Sequence, residues 1–177
     1  EKKKEKKNPA EIFNAEYLMV NMVGDYTTIQ QKMILKLRKG LISKEQFLQD
    51  ARQYLEKEYH TTTEVADETM HYFEQYVFSY WRLTPLIEDP EISDIRCIAF
   101  DDIRVKKRGI RMDSGIQFRS GKEYKNFIDF VATRNQVNVS NLNAIQRFTD
   151  NKSSADFILR FTVTMPLVNT PDQPYLT

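Results

Sequence analysis

Leu83-Thr84-Pro85-Leu86-Ile87-Glu88-Asp89-Pro90-Glu91-Ile92-Ser93-Asp94-Ile95-Arg96-Cys97-Ile98 is the stretch in which the chain changes its period. Thr84-Pro85 reads as an N-cap followed by proline at the first helical position, which starts a short turn running from Pro85 to Glu88. Asp89-Pro90 ends that turn, because a residue before proline is pushed out of the α region. From Ile92 the period is two: Asp94 to Ile98 and Ile103-Arg104-Val105 alternate apolar with polar, and Asp101-Asp102 between them is a tight-turn pair. A β-hairpin or meander is expected here, followed by a strand from Ile110 to Phe118 with Gly109 and Gly115 as turn or bulge positions.

Upstream the pattern is helical. Ile29, Met33, Ile34 and Leu37 recur at helical spacing, and Gly40 follows Lys36, Arg38 and Lys39, so this helix ends with cations at its negative pole. Ser43-Lys44-Glu45-Gln46 reads as a capping box that opens a second helix burying Phe47, Leu48, Ala51, Tyr54 and Leu55. Thr61-Thr62-Thr63-Glu64 offers another, starting a long helix whose face is Val65, Thr69, Tyr72, Phe73, Tyr76, Val77 and Tyr80 and which reaches Arg82. The aromatic residues from Tyr72 to Trp81 have the chemistry to stack bases, but Asp67, Glu68 and Glu74 lie among them, so packing is the expected use.

Downstream, Ser120-Gly121-Lys122-Glu123 opens an amphipathic helix with Tyr124, Phe127, Ile128, Val131 and Ala132 inward. Asn141 to Asn143 returns the chain to extended structure. Ala144 to Thr149 and Asp156 to Met165 then read as strands about a polar turn from Asp150 to Ser154. The fold class is α+β: about three N-terminal helices, then a small, mostly antiparallel sheet with one interleaved helix. Three regions follow, a basic tail and lead-in over residues 1–25, a helical subdomain over 26–82 and the α+β module over 83–177.

The 177 residues carry a formal charge of +1, but Glu1 to Lys7 holds five lysines and two glutamates, so the remainder is mildly acidic. Such a run is ordinarily a solvated end, and no nucleic-acid partner is expected of an acidic body. The single cysteine, Cys97, has no partner for an internal disulfide, and with His60 and His71 as the only histidines no zinc-type ligand set is spaced in the sequence. Neither a secretory leader nor an apolar run of the roughly 20 residues needed to span a bilayer is read, and a reducing, cytoplasmic setting is expected.

The string from Leu83 to Ile95 resembles the stretch of the type II/type IV secretion ATPases in which a Pro-Leu-hydrophobic-x-Asp-Pro turn leads into a hydrophobic-x-Asp-Ile strand start, and it is close to the conjugation-type and tight-adherence-pilus members. The similarity continues through the hairpin ending at Lys106-Lys107-Arg108-Gly109, the helix from Tyr124 to Thr133 and the segment from Arg160 to Pro166, and Pro174-Tyr175-Leu176-Thr177 is similar to the family's run-up to its interdomain linker. The chain departs from the pattern in its glycine-free loop from Asp150 to Asp156 and in Ala99-Phe100, where the family usually has an asparagine.

The resemblance implies an N-terminal domain that precedes a RecA-like ATPase domain. It implies a parent protein that uses ATP and Mg2+ and assembles as a ring, commonly a hexamer, on the cytoplasmic face of the membrane against an inner-membrane platform component of a secretion or pilus machine. It also implies that arginines of this domain lie over the nucleotide held by the ATPase domain, where a guanidinium neutralises developing phosphate charge. Arg160 matches the arginine that starts the family's last strand and Arg147 the one in the strand before it, ordinary strand-surface arginines being the alternative.

No phosphate-binding string of the form G-x-x-x-x-G-K-[ST] occurs in the chain. Gly115 to Glu123 has five residues between its glycines and Glu123 where the magnesium-binding hydroxyl belongs. Adjacent side chains on a strand point oppositely, so Asp101-Asp102 reads as a turn and not as an acid/base pair. The chain alone is therefore expected to bind no cofactor and to be inactive. A free-standing interaction or sensor module, docking through its aromatic helix, is the other reading the residues leave open.

Overall fold

The structure, a computed structural model, describes residues 14–29, 36–37, 39–140, 144–150, 158–166 and 173–177. It forms two compact units, the first ending at Phe78 and the second beginning at Ser79.

The first unit contains α1 (Ala15–Ile29), α2 (Lys44–Tyr59) and α3 (Thr63–Phe78), with α1 and α2 both packed on α3. Asn14 starts α1 by accepting the Tyr17 amide on its side chain at 3.0 Å, and Ala15, Leu18, Met19, Met22 and Val23 are buried at helical spacing. This helix lies in the stretch read from sequence as a lead-in. The helix expected from Ile29 onward falls largely on residues outside those described, but its end is as expected: Gly40 has φ +68°, and Leu41 donates to the Lys36 carbonyl while Gly40 donates to that of Leu37. That pair of bonds is a Schellman closure, which needs the left-handed residue glycine provides.

Ser43 caps α2 by accepting the Gln46 amide at 3.1 Å, and Phe47, Ala51, Leu55 and Tyr59 are buried. Phe47 stacks on Phe73 with centroids 6.0 Å apart and meets the edge of Phe78 at 5.8 Å. α3 ends at Phe78, short of the Arg82 expected from its pattern. Trp81 sits at φ +49°, and a 3-10 turn follows over Trp81–Leu83.

The second unit has α4 (Thr84–Ile87), a hairpin of β1 (Ile92–Ala99) and β2 (Asp102–Lys107), β3 (Ile110–Asp113), α5 (Gly121–Arg134), β4 (Ile145–Asp150), β5 (Leu159–Thr164) and β6 (Tyr175–Leu176). Its α4 begins at Thr84 itself, one residue earlier than the cap reading. The α+β class holds, with one six-stranded antiparallel sheet of order β3-β2-β1-β6-β5-β4. β3 is shorter than the strand expected from Ile110 to Phe118. Gly115 at φ +71° turns the chain away, and Phe118 is buried outside the sheet with its amide on the Phe100 carbonyl at 2.7 Å.

Ser120 caps α5 by accepting the Glu123 amide at 3.2 Å. All five expected inward residues of this helix are buried, and Phe118 meets Tyr124 and Phe127 at 5.2 Å. The Tyr124 hydroxyl donates to the Cys97 carbonyl at 2.9 Å, which seats α5 on the sheet where β1 meets β6. Ile103, Val105, Phe161, Val163 and Leu176 complete the covered face, each removing apolar surface worth about 1.5–3 kcal/mol for a fully buried side chain.

Candidate functional site

Arg147 and Arg160 lie on neighbouring strands. In the β4–β5 ladder Arg147 is opposite Thr162 and Arg160 is opposite Thr149, so the two arginines share a face and are diagonal neighbours, a spacing of roughly 7–8 Å in antiparallel pairs. Phe148, Phe161 and Val163 occupy the other face, where Phe148 stacks on Phe161 at 5.0 Å and Phe161 on Tyr80 at 5.4 Å. Both arginines are exposed. The strand alternation that turns Phe148 and Phe161 to one face thus sends both guanidinium groups to the other, and the ladder register brings together residues that are 13 positions apart in sequence.

Their surroundings differ from those of the other arginines in this unit. Arg82 bonds Glu123 at 3.1 Å, Arg96 and Arg111 share Asp94 at 3.2 and 2.8 Å, Arg104 holds Asp102 at 2.8 Å, and Arg108 chelates Glu91. Arg134 lies 4.4 Å over the Tyr80 ring and donates to the Ser79 carbonyl at 2.5 Å. Arg147 and Arg160 make no ion pair or hydrogen bond among the described residues. An exposed, uncommitted guanidinium retains its planar fork of donors for an incoming carboxylate or phosphate.

Arg160 also borders a cleft of about 820 Å3 lined by the α4 segment, by β1 from Ile92 to Cys97, by β5 from Leu159 to Phe161, and by Leu176 and Thr177. The rim of the cleft at the Asp89-Pro90 turn is fixed. Asp89 takes the Glu91 amide on its side chain at 2.9 Å and Lys107 at 2.8 Å, and the lysine beside it holds the Asp89 carboxyl below its usual range. Sequence reading placed the turn correctly but missed the cleft, whose walls come from segments more than 60 residues apart.

The remaining candidates are structural. Glu123, expected in a capping box, is buried. Its carboxylate accepts the Trp81 indole at 3.0 Å, Arg82 Nε at 3.1 Å and the Arg119 amide at 2.6 Å, tying the 3-10 turn to the start of α5. The Tyr80 hydroxyl donates to Asp150, also buried. Asp102 belongs to β2 and is engaged by Arg104, leaving Asp101 exposed in the turn. Cys97 is fully buried, and desolvation pushes its thiol up to about 12. His60 closes α2 in the left-handed region and His71 faces Gln75 at 3.1 Å.

Among the described residues no group of three potential metal-ligating side chains comes together, and no helix is long and apolar enough to cross a membrane. No protein-family model matches the chain, and comparison with curated proteins finds no match.

Proposed function

We propose that this chain is the N-terminal domain of a secretion or pilus-assembly ATPase, lying over the nucleotide of a RecA-like domain elsewhere in the protein and coupling its hydrolysis to a transport machine at the cytoplasmic face of the membrane. The observation that carries this reading is the pair Arg147 and Arg160. They are exposed, share one face of adjacent strands and have no carboxylate partner among the described residues, whereas the neighbouring sheet arginines are paired. Two exposed guanidinium groups at diagonal positions suit the distributed negative charge of a phosphoryl group in transfer.

ATP fits this chain only as a shared ligand. The arginines would contact phosphate oxygens, while the phosphate loop and the hydroxyl that holds Mg2+ would come from the RecA-like domain, since neither occurs in this sequence. Asp94 and Asp102 serve the arginines of β1, β2 and β3, and no described carboxylate engages Arg147 or Arg160, which keeps both available. The parent protein would work as a ring, commonly a hexamer, docked on an inner-membrane platform component.

The test is substitution in the full-length protein. Arg160→Ala and Arg147→Ala are each expected to lower kcat for ATP hydrolysis at least about tenfold while shifting unfolding free energy by no more than about 0.5 kcal/mol, because both side chains are surface-exposed. Unchanged turnover in both variants would make them ordinary strand-surface arginines.

A further inference from the structure

β6 is two residues long yet occupies the middle of the sheet, between the eight-residue β1 and the six-residue β5. It meets β1 at Cys97 through Leu176, and meets β5 at Val163 and Thr164, with Thr162 and Thr177 exchanging both backbone bonds at 2.7 and 2.9 Å. Past Thr177 no described strand lies between Ile92–Arg96 of β1 and Leu159–Phe161 of β5. What lies there is the cleft of about 820 Å3. β1 and β5 are held one strand apart by β6, a separation of roughly 10 Å, so the opening has the width of a single extended chain.

The geometry points to a strand slot: in the full-length protein the residues directly after Thr177 continue β6 through this cleft, hydrogen-bonded to β1 on one side and β5 on the other. This rests on the reading that the chain is the front part of a longer protein. Continuity with the ladder already present singles out this occupant, because β6 enters the slot in register with both walls and Thr177, directly after it, is bonded to Thr162.

The register sets the chemistry. Bonds in an antiparallel ladder alternate, and the Thr162–Thr177 pair is a bonded one. The backbone of Arg160 therefore faces the slot for the second residue after Thr177, and that of Ile95, two residues before Cys97, faces it for the first. The first added side chain falls on the covered face between Ile95 and Phe161 and is apolar. The second falls on the outer face between Asp94 and Arg160 and is polar. The third lies against Leu159 and is apolar. Filling the slot also fixes the backbone that carries Arg160.

Amide hydrogen exchange, resolved by residue, on the full-length protein and on the chain ending at Thr177 tests this. The amides of Ile95 and Arg160 are expected to exchange at least about a hundredfold more slowly in the full-length protein, while those of Tyr124 and Phe127 in α5 stay the same. Equal exchange at Ile95 and Arg160 in the two proteins overturns the slot, even if a phosphate loop is present downstream. Protection in the short chain that rises with its concentration also overturns it, because a second copy would then be the occupant. Protection in a full-length protein lacking a phosphate loop keeps the slot and rejects the ATPase reading.

Discussion

Arg160 and Cys97 show how far a residue's neighbours decide its chemistry. Strand alternation was readable around both, because Phe161, Val163 and Met165 recur at every second position and mark the covered face. That no described carboxylate pairs with Arg160 was not readable, since it depends on which acid each ladder brings alongside. Asp94 serves Arg96 and Arg111, the second of which is 17 residues away. For Cys97 the same alternation puts the sulfur inward, under α5, with the thiol raised to about 12 by burial. An aromatic disulfide reagent should therefore label native protein at least about a hundredfold more slowly than denatured protein at pH 8, where a free cysteine is partly thiolate. Rapid stoichiometric labelling of folded protein would contradict the packing of α5 on β1.

At the scale of elements, helix starts were the most legible feature because a cap is a local bond. Ser43 accepts from Gln46 and Ser120 from Glu123, both three residues on, and both were visible as short strings. Ser43→Ala and Ser120→Ala are each expected to lower stability by about 1 kcal/mol, measured by chemical denaturation, and a loss below about 0.3 kcal/mol would show that the cap is replaced by solvent. Ends set by distant partners were not legible. The pattern of α3 runs on through Tyr80 and Trp81, but Tyr80 is drawn to Asp150, 70 residues away, and Trp81 to Glu123, 42 residues away, so the helix stops at Phe78. β6 went unread because two residues show no period. α1 carries a local signal of its own, since Leu18, Met19, Met22 and Val23 have helical spacing after Asn14, a good cap.

For the whole molecule, composition and period were enough to expect helices first and an antiparallel sheet with one interleaved helix after them, and the fold agrees. The order of strands was not available from period alone, because β6 inserts between β1 and β5 from the far end of the chain. That insertion ends at the cleft that Arg160 borders, while strand alternation faces both Arg147 and Arg160 outward. The proposed role needs a phosphate-gripping domain elsewhere in the protein, since Arg147 and Arg160 have no carboxylate partner among the described residues and the sequence holds no G-x-x-x-x-G-K-[ST] string. Sequencing the coding region beyond Thr177 tests that requirement most directly. The account predicts an apolar-polar-apolar continuation of β6 followed, in the next domain, by a G-x-x-x-x-G-K-[ST] string, and a stop codon immediately after Thr177 would contradict it.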